Sequence, residues 1–382
     1  MATRVSRRKL LLSSIFGVAF GAAPGAITGV SNLTVGRAFA QNLAVEKDPI
    51  KYYWNKKLSE LASVEPFNCS DEDKERHQIY CAVVFSILHG YFNGNRRGEV
   101  GEYPMRAKQK ASGLGTNSRY SGGYYFGHNI CAIAVDEDGE IIDFDFNNAE
   151  LLNDSTQHAE VRLIRRLFSL ADAYEKNETD TLTSVAADMY RDYNKTLNNI
   201  TIYTSMESCA QCSGMMTLAN IPKVVYLQSD PTQYQIGKIM FRLSRPVGQM
   251  NGGGAPRPIS GKEIGFMLTD KIDKSYEDYR SSVGSTFPKQ PFYKPPGSES
   301  DSSRWNITQS ITSFVCTDVA MDHFADGRAL LNKAVLKYPD FRPVLTNTRQ
   351  TNQKIFSNNE VLNSARNFVE YSLTKGKRGI SR

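Results

Sequence analysis

Four side chains in two separate segments have the types and spacing of a metal site with a neighbouring proton carrier. His158 is followed by Glu160, and a later Cys-x-x-Cys motif supplies Cys209 and Cys212. A catalytic zinc ion takes three protein ligands and keeps its fourth position open. We therefore predict that His158, Cys209 and Cys212 bind zinc, with Glu160 beside the open position. The alternative for the cysteines, a redox pair or a structural disulfide, requires no upstream His-Ala-Glu.

The surrounding residues predict the helices and the strand that position these side chains. Residues 154–156 are helix-capping types, and apolar residues recur at helical spacing over 161–168. His158 and Glu160 are thereby predicted at a helix start, where the turning backbone lets both approach one metal ion. The strand-like run 200–206 leads to the cysteines, whose spacing puts both sulfurs on one helix face. A helix N-terminus also favours the thiolate that a metal requires.

These groups are the ones that hydrolytic deamination requires. Zinc lowers the pKa of its bound water to about 7, which makes hydroxide available near neutral pH. Glu160 is predicted to take the water proton and deliver it to a leaving nitrogen. Hydroxide attack on an amidine-type ring carbon, with loss of ammonia, is deamination. The simpler role for Glu160 is an acid that interacts favourably with the helix dipole.

Several motifs in order resemble the zinc-dependent cytidine/deoxycytidylate deaminase superfamily, and in particular its tRNA-adenosine/nucleoside deaminase branch. Residues 154–160 read Asp-Ser-Thr-Gln-His-Ala-Glu and are similar to that branch's Asp-Pro-Thr-x-His-Ala-Glu. Residues 201–209 resemble its Thr-Leu-Tyr-x-Thr-x-Glu-Pro-Cys, and residues 221–226 resemble the strand after the cysteine helix. The resemblance covers residues 75–245.

The resemblance implies a three-layer α/β/α fold with a mixed five-stranded sheet. It implies zinc bound by His158, Cys209 and Cys212, Glu160 as the catalytic proton shuttle, and substrate contacts from Asn147, Ala159 and Ser208. Ser208 replaces the family proline, so the backbone there loses a fixed φ. Asn147 has an ordinary alternative role as a turn residue after a strand. The family often forms dimers, so a homodimer stays open.

The first forty residues are typical of a bacterial twin-arginine signal peptide. They contain Arg7-Arg8, an apolar stretch, and a small-x-small cleavage motif at Ala38-Phe39-Ala40. We predict cleavage before Gln41, use of the Tat export machinery, and a periplasmic or secreted protein. An uncleaved membrane anchor is the alternative, because the apolar run is nearly long enough to span a membrane. The segment holds five basic and no acidic residues, so its removal lowers the formal net charge from +6 to +1.

Composition and spacing predict five regions. They are a signal peptide (1–40), an N-terminal lead-in segment (41–74), a CMP/dCMP-type deaminase domain (75–245), a Gly/Pro/Ser-rich linker region (246–304) and a helical C-terminal extension with a basic tail (305–382). A first helix is predicted from Ser70, its N-cap, to about Leu88. Strands are predicted over 130–135, 140–146, 200–205 and 223–228, with a weak candidate for the fifth over 263–268. Residues 171–199 are predicted to be an insert.

Three functions fit this reading. The first is a zinc hydrolase that deaminates a free nucleobase, nucleoside or related small amidine. The second is a secreted deaminase toxin acting on nucleic acid or nucleotides, although the near-neutral mature charge does not indicate a nucleic-acid partner. The third is a non-catalytic, zinc-stabilised binding module. Glu207 either orients the cysteine turn or binds a substrate amine. Disulfide pairing cannot be read from the sequence for the other four cysteines: Cys69, Cys81, Cys131 and Cys316.

Overall fold

A five-stranded mixed sheet forms the centre of the protein. The computed structural model describes residues 53–92, 127–152, 154–178, 197–244, 254–286, 310–344 and 355–374. The strands are β1 (Cys131–Val135), β2 (Ile141–Phe146), β3 (Thr201–Thr204), β4 (Lys223–Tyr226) and β5 (Arg257–Ser260). Their spatial order is β2-β1-β3-β4-β5, with β1 antiparallel to both neighbours and β3, β4 and β5 mutually parallel.

Ten α-helices lie in the described part of the chain, on both faces of the sheet or beside it. They are α1 (Leu58–Leu61), α2 (Asp71–Gly90), α3 (Ala149–Leu152), α4 (Ala159–Glu178), α5 (Ala210–Leu218), α6 (Ile236–Leu243), α7 (Met267–Thr286), α8 (Ile311–Phe314), α9 (Asp318–Lys333) and α10 (Asn358–Thr374). Within the described residues, no helix is both long enough and apolar enough to cross a membrane.

Alternating strand residues divide the interior into two apolar clusters, one on each face. Ala132 and Ile202 point to one face and pack with α4 and α5, which carry the predicted metal ligands. Ile133, Tyr203 and Val225 point to the other face and pack with α2, α7, α9 and α10. This alternation follows from the two-residue period of a strand. The expected three-layer α/β/α fold with a mixed five-stranded sheet is confirmed.

The hairpin between β1 and β2 follows its sequence signal. Gly139 has φ of +101°, a conformation that glycine adopts without steric cost. Both Gly139 and Glu140 donate backbone hydrogen bonds of 2.8 Å to the Asp136 carboxylate. Turn residues that accept such bonds stabilise the chain reversal, so the hairpin forms where the Asp-Glu-Asp-Gly sequence predicted it.

The fifth strand is β5, and the prediction over residues 263–268 was wrong. β5 pairs with β4 alone, so it is an edge strand and tolerates Pro258, which cannot donate to the ladder. Because proline argues against a strand, the sequence analysis did not predict one at this position. Ile259 of β5 is fully buried in the core, so the sheet extends beyond residue 245.

The linker prediction over 246–304 was also wrong for its central part. Helix α7 occupies Met267–Thr286 and buries Leu268, Ile272, Tyr276 and Tyr279 at helical spacing. The glycines and prolines on either side dominate the composition of the region, so the helical spacing of these apolar residues was not recognised. Residues 245–253 and 287–309 of the same region lie outside the described residues.

The C-terminal extension covers the first long helix. Helix α2 begins after Ser70, whose hydroxyl accepts a hydrogen bond of 3.2 Å from Asp73 N, as its sequence predicted. Helices α9 and α10 pack against α2, and α10 also contacts β2. Arg76 of α2 donates to the Phe356 carbonyl at 2.7 Å and to the Asp138 carbonyl at 3.2 Å. The extension is therefore part of the same core as the sheet.

Several predicted segments lie outside the described residues. The signal peptide and its cleavage motif lie there, as do residues 41–52 of the lead-in segment and the basic tail after Thr374. The described part of the predicted insert over 171–199 includes the end of α4, while residues 179–196 lie outside.

Candidate metal centre

The two ligand segments meet where α4 and α5 both begin, on the same face of the sheet. His158 immediately precedes α4, and Cys209 is the N-cap of α5. The Gln211 side chain donates a hydrogen bond of 3.0 Å to the Thr156 carbonyl, which joins the two segments directly. The helix starts predicted from the capping residues and from the Cys-x-x-Cys spacing therefore lie together.

The three predicted ligand atoms form a compact triangle. His158 Nδ1 lies 3.4 Å from Cys209 Sγ and 3.5 Å from Cys212 Sγ, and the two sulfurs are 3.5 Å apart. Within the described residues, this is the one group of at least three His, Cys, Asp or Glu donors close enough to hold a metal ion. All six cysteines are free, so no disulfide joins Cys209 to Cys212.

This triangle fits a zinc ion in size and in chemistry. Ligand atoms around tetrahedral zinc with bonds of ~2.0–2.3 Å lie roughly 3.3–3.8 Å apart. Hydrogen bonds to Cys212 and His158 lower the pKa of Cys209 to about 4. The hydrogen bond to Cys209 and burial raise the pKa of Cys212. A divalent cation among these atoms stabilises both thiolates, so the donor set favours a bound metal.

Glu160 is directed at this triangle from the first turn of α4. Its Oε2 accepts a hydrogen bond of 3.3 Å from Cys212 Sγ, and its Oε1 accepts one of 3.0 Å from the Thr204 hydroxyl. The Ser208 hydroxyl is 3.4 Å from the same Oε1. Burial is the main cause that raises the pKa of Glu160, whose side chain is 3% exposed. A buried carboxyl with a raised pKa is suited to accepting and returning a proton.

Thr204 is the site residue that the sequence analysis did not assign. It is the last residue of β3, fully buried, and it holds one Glu160 oxygen in a fixed direction. The available signal was its position: it ends the strand that leads to the cysteine turn. Polar residues at the carboxyl ends of parallel strands commonly face a binding crevice.

The loop before His158 is held by a chain of polar contacts. Asp154 accepts hydrogen bonds from Thr156 and Gln157, and these bonds lower the pKa of Asp154 to about 2. Arg162 of α4 donates to the Gln157 side chain at 2.9 Å and to Asp145 at 3.0 Å. Asp145 is fully buried on β2. The contacts thus fix the backbone of the His158 segment to the sheet.

The three residues predicted to contact substrate are all buried near these segments. Ala159 begins α4 and Ser208 precedes the ligand Cys209. Asn147 follows β2, and its Oδ1 accepts a hydrogen bond of 3.1 Å from Ala149 N at the start of α3. Asn147 therefore has the turn role given as its alternative, and its contact with substrate stays a prediction.

Glu207 has the first of its two expected roles. Its backbone N–H donates to the Gln228 carbonyl at 2.8 Å, and its Oε2 accepts from Asp230 N at 3.1 Å. These contacts tie the cysteine turn to the loop after β4. Glu207 therefore orients the turn that carries Ser208 and Cys209.

One region of the chain matches a known family model. Residues 109–228 match the model of the cytidine and deoxycytidylate deaminase zinc-binding region. The match supports the cytidine deaminase superfamily. It spans His158, Glu160, Cys209 and Cys212, so the matched region contains the whole triangle and its neighbouring acid. Together, the match and the ligand set support a zinc-dependent deaminase. A comparison with curated proteins found no match.

Three solved structures are similar to parts of the chain. One comes from a study of A-to-I editing by tRNA:A34 deaminases at the wobble position of transfer RNA, with 24% identity over 35% of this chain and 82% of that chain, at a TM-score of 0.22. Guanine deaminase from Bacillus subtilis has 27% identity over 29% of this chain and 57% of that chain, at 0.22. Guanine deaminase from Nitrosomonas europaea has 16% identity over 40% and 74%, at 0.23. At these TM-scores the three structures carry no argument about the substrate.

Proposed function

We propose that the protein is a zinc-dependent hydrolytic deaminase of a nucleobase, nucleoside or related small cyclic amidine. The observation that carries this proposal is the placement of a buried carboxyl, Glu160, against a triangle of one imidazole and two sulfurs. A structural zinc site uses four protein ligands, whereas a catalytic site uses three. The described residues offer three, with an acid beside them.

When zinc is bound with one open position, it lowers the pKa of a coordinated water to about 7 and so supplies a nucleophile near neutral pH. The rest of the reaction depends on proton movement by this chain. Glu160 accepts the water proton on a carboxylate oxygen as the C–O bond forms. It then delivers that proton to the amino nitrogen as the C–N bond breaks, so the leaving group is neutral ammonia.

The contacts of Glu160 support this role. The Thr204 hydroxyl occupies Oε1, which leaves Oε2 as the oxygen directed toward the ligand atoms. The carboxyl sits among buried groups, and burial raises its pKa, a change that suits a group that accepts and returns a proton. The Ala159 backbone and the Ser208 carbonyl lie next to these groups in the chain, which suits them to bind the amidine edge of a substrate.

The first test measures metal and product together. Purified protein should contain about one zinc ion per chain and release ammonia from at least one of cytosine, adenine, guanine or their nucleosides. A single-stranded oligonucleotide should not be a better substrate than the free nucleoside. Bound zinc without ammonia from any compound would contradict the enzyme and favour a binding module. Selective turnover of the oligonucleotide, with strong inhibition by salt, would favour the nucleic-acid deaminase.

We also propose that the protein is exported by the twin-arginine route and acts in the periplasm or outside the cell. Support comes from the Arg7-Arg8 pair and the Ala38-Phe39-Ala40 motif. That route carries folded proteins, so zinc can bind before Cys209 and Cys212 meet an oxidising compartment. In a bacterial host with this route, the periplasmic protein should begin at Gln41, as N-terminal sequencing would reveal. Replacing Arg7 and Arg8 by lysine should retain the protein in the cytoplasm; unchanged export would exclude the route.

A further inference from the structure

A second cavity lies beside the cysteine turn, on the side of Glu207. Its volume is about 470 Å³, within the range of small-molecule sites. The lining includes Leu58 of α1 and Ala62 just after it, Glu207 and Asp230 from the loops after β3 and β4, Tyr234 just before α6 and Lys238 within α6. None of His158, Glu160, Cys209 and Cys212 lines it. The cavity is therefore separate from the metal centre, although Glu207 is two residues from Cys209.

Glu207 lines this cavity, and one of its carboxylate oxygens has no hydrogen-bond partner in the described part of the chain. The side chain is only 7% exposed, and Oε2 is engaged by Asp230 N. Oε1 is buried and accepts no hydrogen bond from any residue in the described part of the chain. An unpaired buried carboxylate oxygen is costly, so the site gains free energy when a donor reaches it.

The charges around the cavity favour a cation. Two acids, Glu207 and Asp230, line it against one base, Lys238. Within the described residues, no ion pair joins Lys238 to either acid at 4 Å or less. The described part of the chain also gathers no metal-binding trio of donors here, since its one such group is at His158. The cation that fits is therefore an organic one.

The remaining walls are suited to a hydrocarbon body. Leu58 and Ala62 are apolar lining residues, and the largely exposed Tyr234 also lines the cavity. An aromatic ring also attracts a cation over its face. A primary amine has both parts, since its ammonium group donates hydrogen bonds and its carbon chain fills apolar space.

We propose that this cavity is a binding site for a small primary amine in its ammonium form. The nitrogen donates to Oε1 of Glu207, and the hydrocarbon part packs against Leu58, Ala62 and Tyr234. Because Glu207 also holds the turn that carries Ser208 and Cys209, an occupied cavity stabilises that turn. The site is distinct from the deaminase centre and does not depend on that activity.

The test is calorimetric titration of the zinc-containing full chain with propylamine and with benzylamine, using benzyl alcohol as the neutral match. Both amines should bind, and benzyl alcohol should bind about tenfold or more weakly, since it lacks the charge-assisted hydrogen bond. Glu207→Gln should weaken amine binding by about tenfold or more. Glu277→Gln, on an exposed position of α7, should bind like the parent. Lys238→Met should bind amines more tightly, because it removes the neighbouring like charge.

Several outcomes would overturn the proposal. Absence of binding by both amines would do so, as would equal binding by benzyl alcohol or weaker binding by Lys238→Met. Undiminished binding by Glu207→Gln with normal zinc content would place the amine on the metal instead. Ala62→Leu fills the cavity without changing charge, and it should also lose amine affinity while keeping zinc. These experiments measure amine binding and zinc content, so their results do not depend on whether the protein releases ammonia.

Discussion

Replacing Glu160 by glutamine should lower the rate of ammonia release by about 10²- to 10⁴-fold while zinc content stays near that of the parent. Glutamine has nearly the same shape, and its amide oxygen can still accept the Thr204 hydrogen bond of 3.0 Å. It cannot accept a proton from water at neutral pH, so both proton transfers lose their carrier. The measurement is steady-state ammonia release alongside zinc analysis of the same preparation.

The matched control for this variant is Glu140→Gln, in the exposed hairpin turn between β1 and β2. It makes the same chemical change away from the site and should retain parental activity and zinc content. Full activity in Glu160→Gln would remove Glu160 as the proton carrier. A parallel loss of zinc in Glu160→Gln would assign the residue to metal binding instead.

Replacing Cys209 by alanine should abolish stoichiometric zinc binding and, with it, ammonia release. The change leaves His158 and Cys212 as two ligands, which is fewer than any ordinary catalytic zinc site provides. It also removes the sulfur with the lowest pKa of the pair, the one best suited to bind a metal at neutral pH. Because a ligand that binds only the folded state stabilises it, the parent should unfold at a lower temperature after chelation, and Cys209→Ala should not respond.

Cys69→Ala is the matched control, because Cys69 is also a free, half-buried cysteine but lies outside the ligand group. It should keep about one zinc ion per chain and the parent's sensitivity to a chelator. If Cys209→Ala bound zinc as the parent does, the triangle of His158 and the two cysteines would not be the metal site. Zinc binding should raise the parent's free energy of unfolding by about 2.7 kcal/mol when the free zinc concentration is a hundred times its dissociation constant.

The sequence by itself determined which residues form the candidate metal site. His158, Glu160, Cys209 and Cys212 were identifiable because each pair lies close together in the chain, at a helix start whose capping residues are local signals. The Ser70 cap of α2 and the Gly139 turn were predictable for the same reason, since neighbouring residues alone decide them. The resemblance then supplied the expectation of a mixed five-stranded sheet.

The tertiary structure alone decided features that depend on distant partners. β5 forms a strand in spite of Pro258 because it pairs with β4 on one side only. No local sequence signal predicts this pairing. Helix α2 is largely buried because α9 and α10, which come from much later in the chain, pack against it. The contact of Thr204 with Glu160 and the unpaired oxygen of Glu207 likewise arise where separate segments meet. Helix caps and ligand spacing depend on residues that are neighbours in the sequence, so they can be predicted from it. Burial and strand pairing depend on packing between segments that are distant in the sequence, so only the tertiary structure decides them.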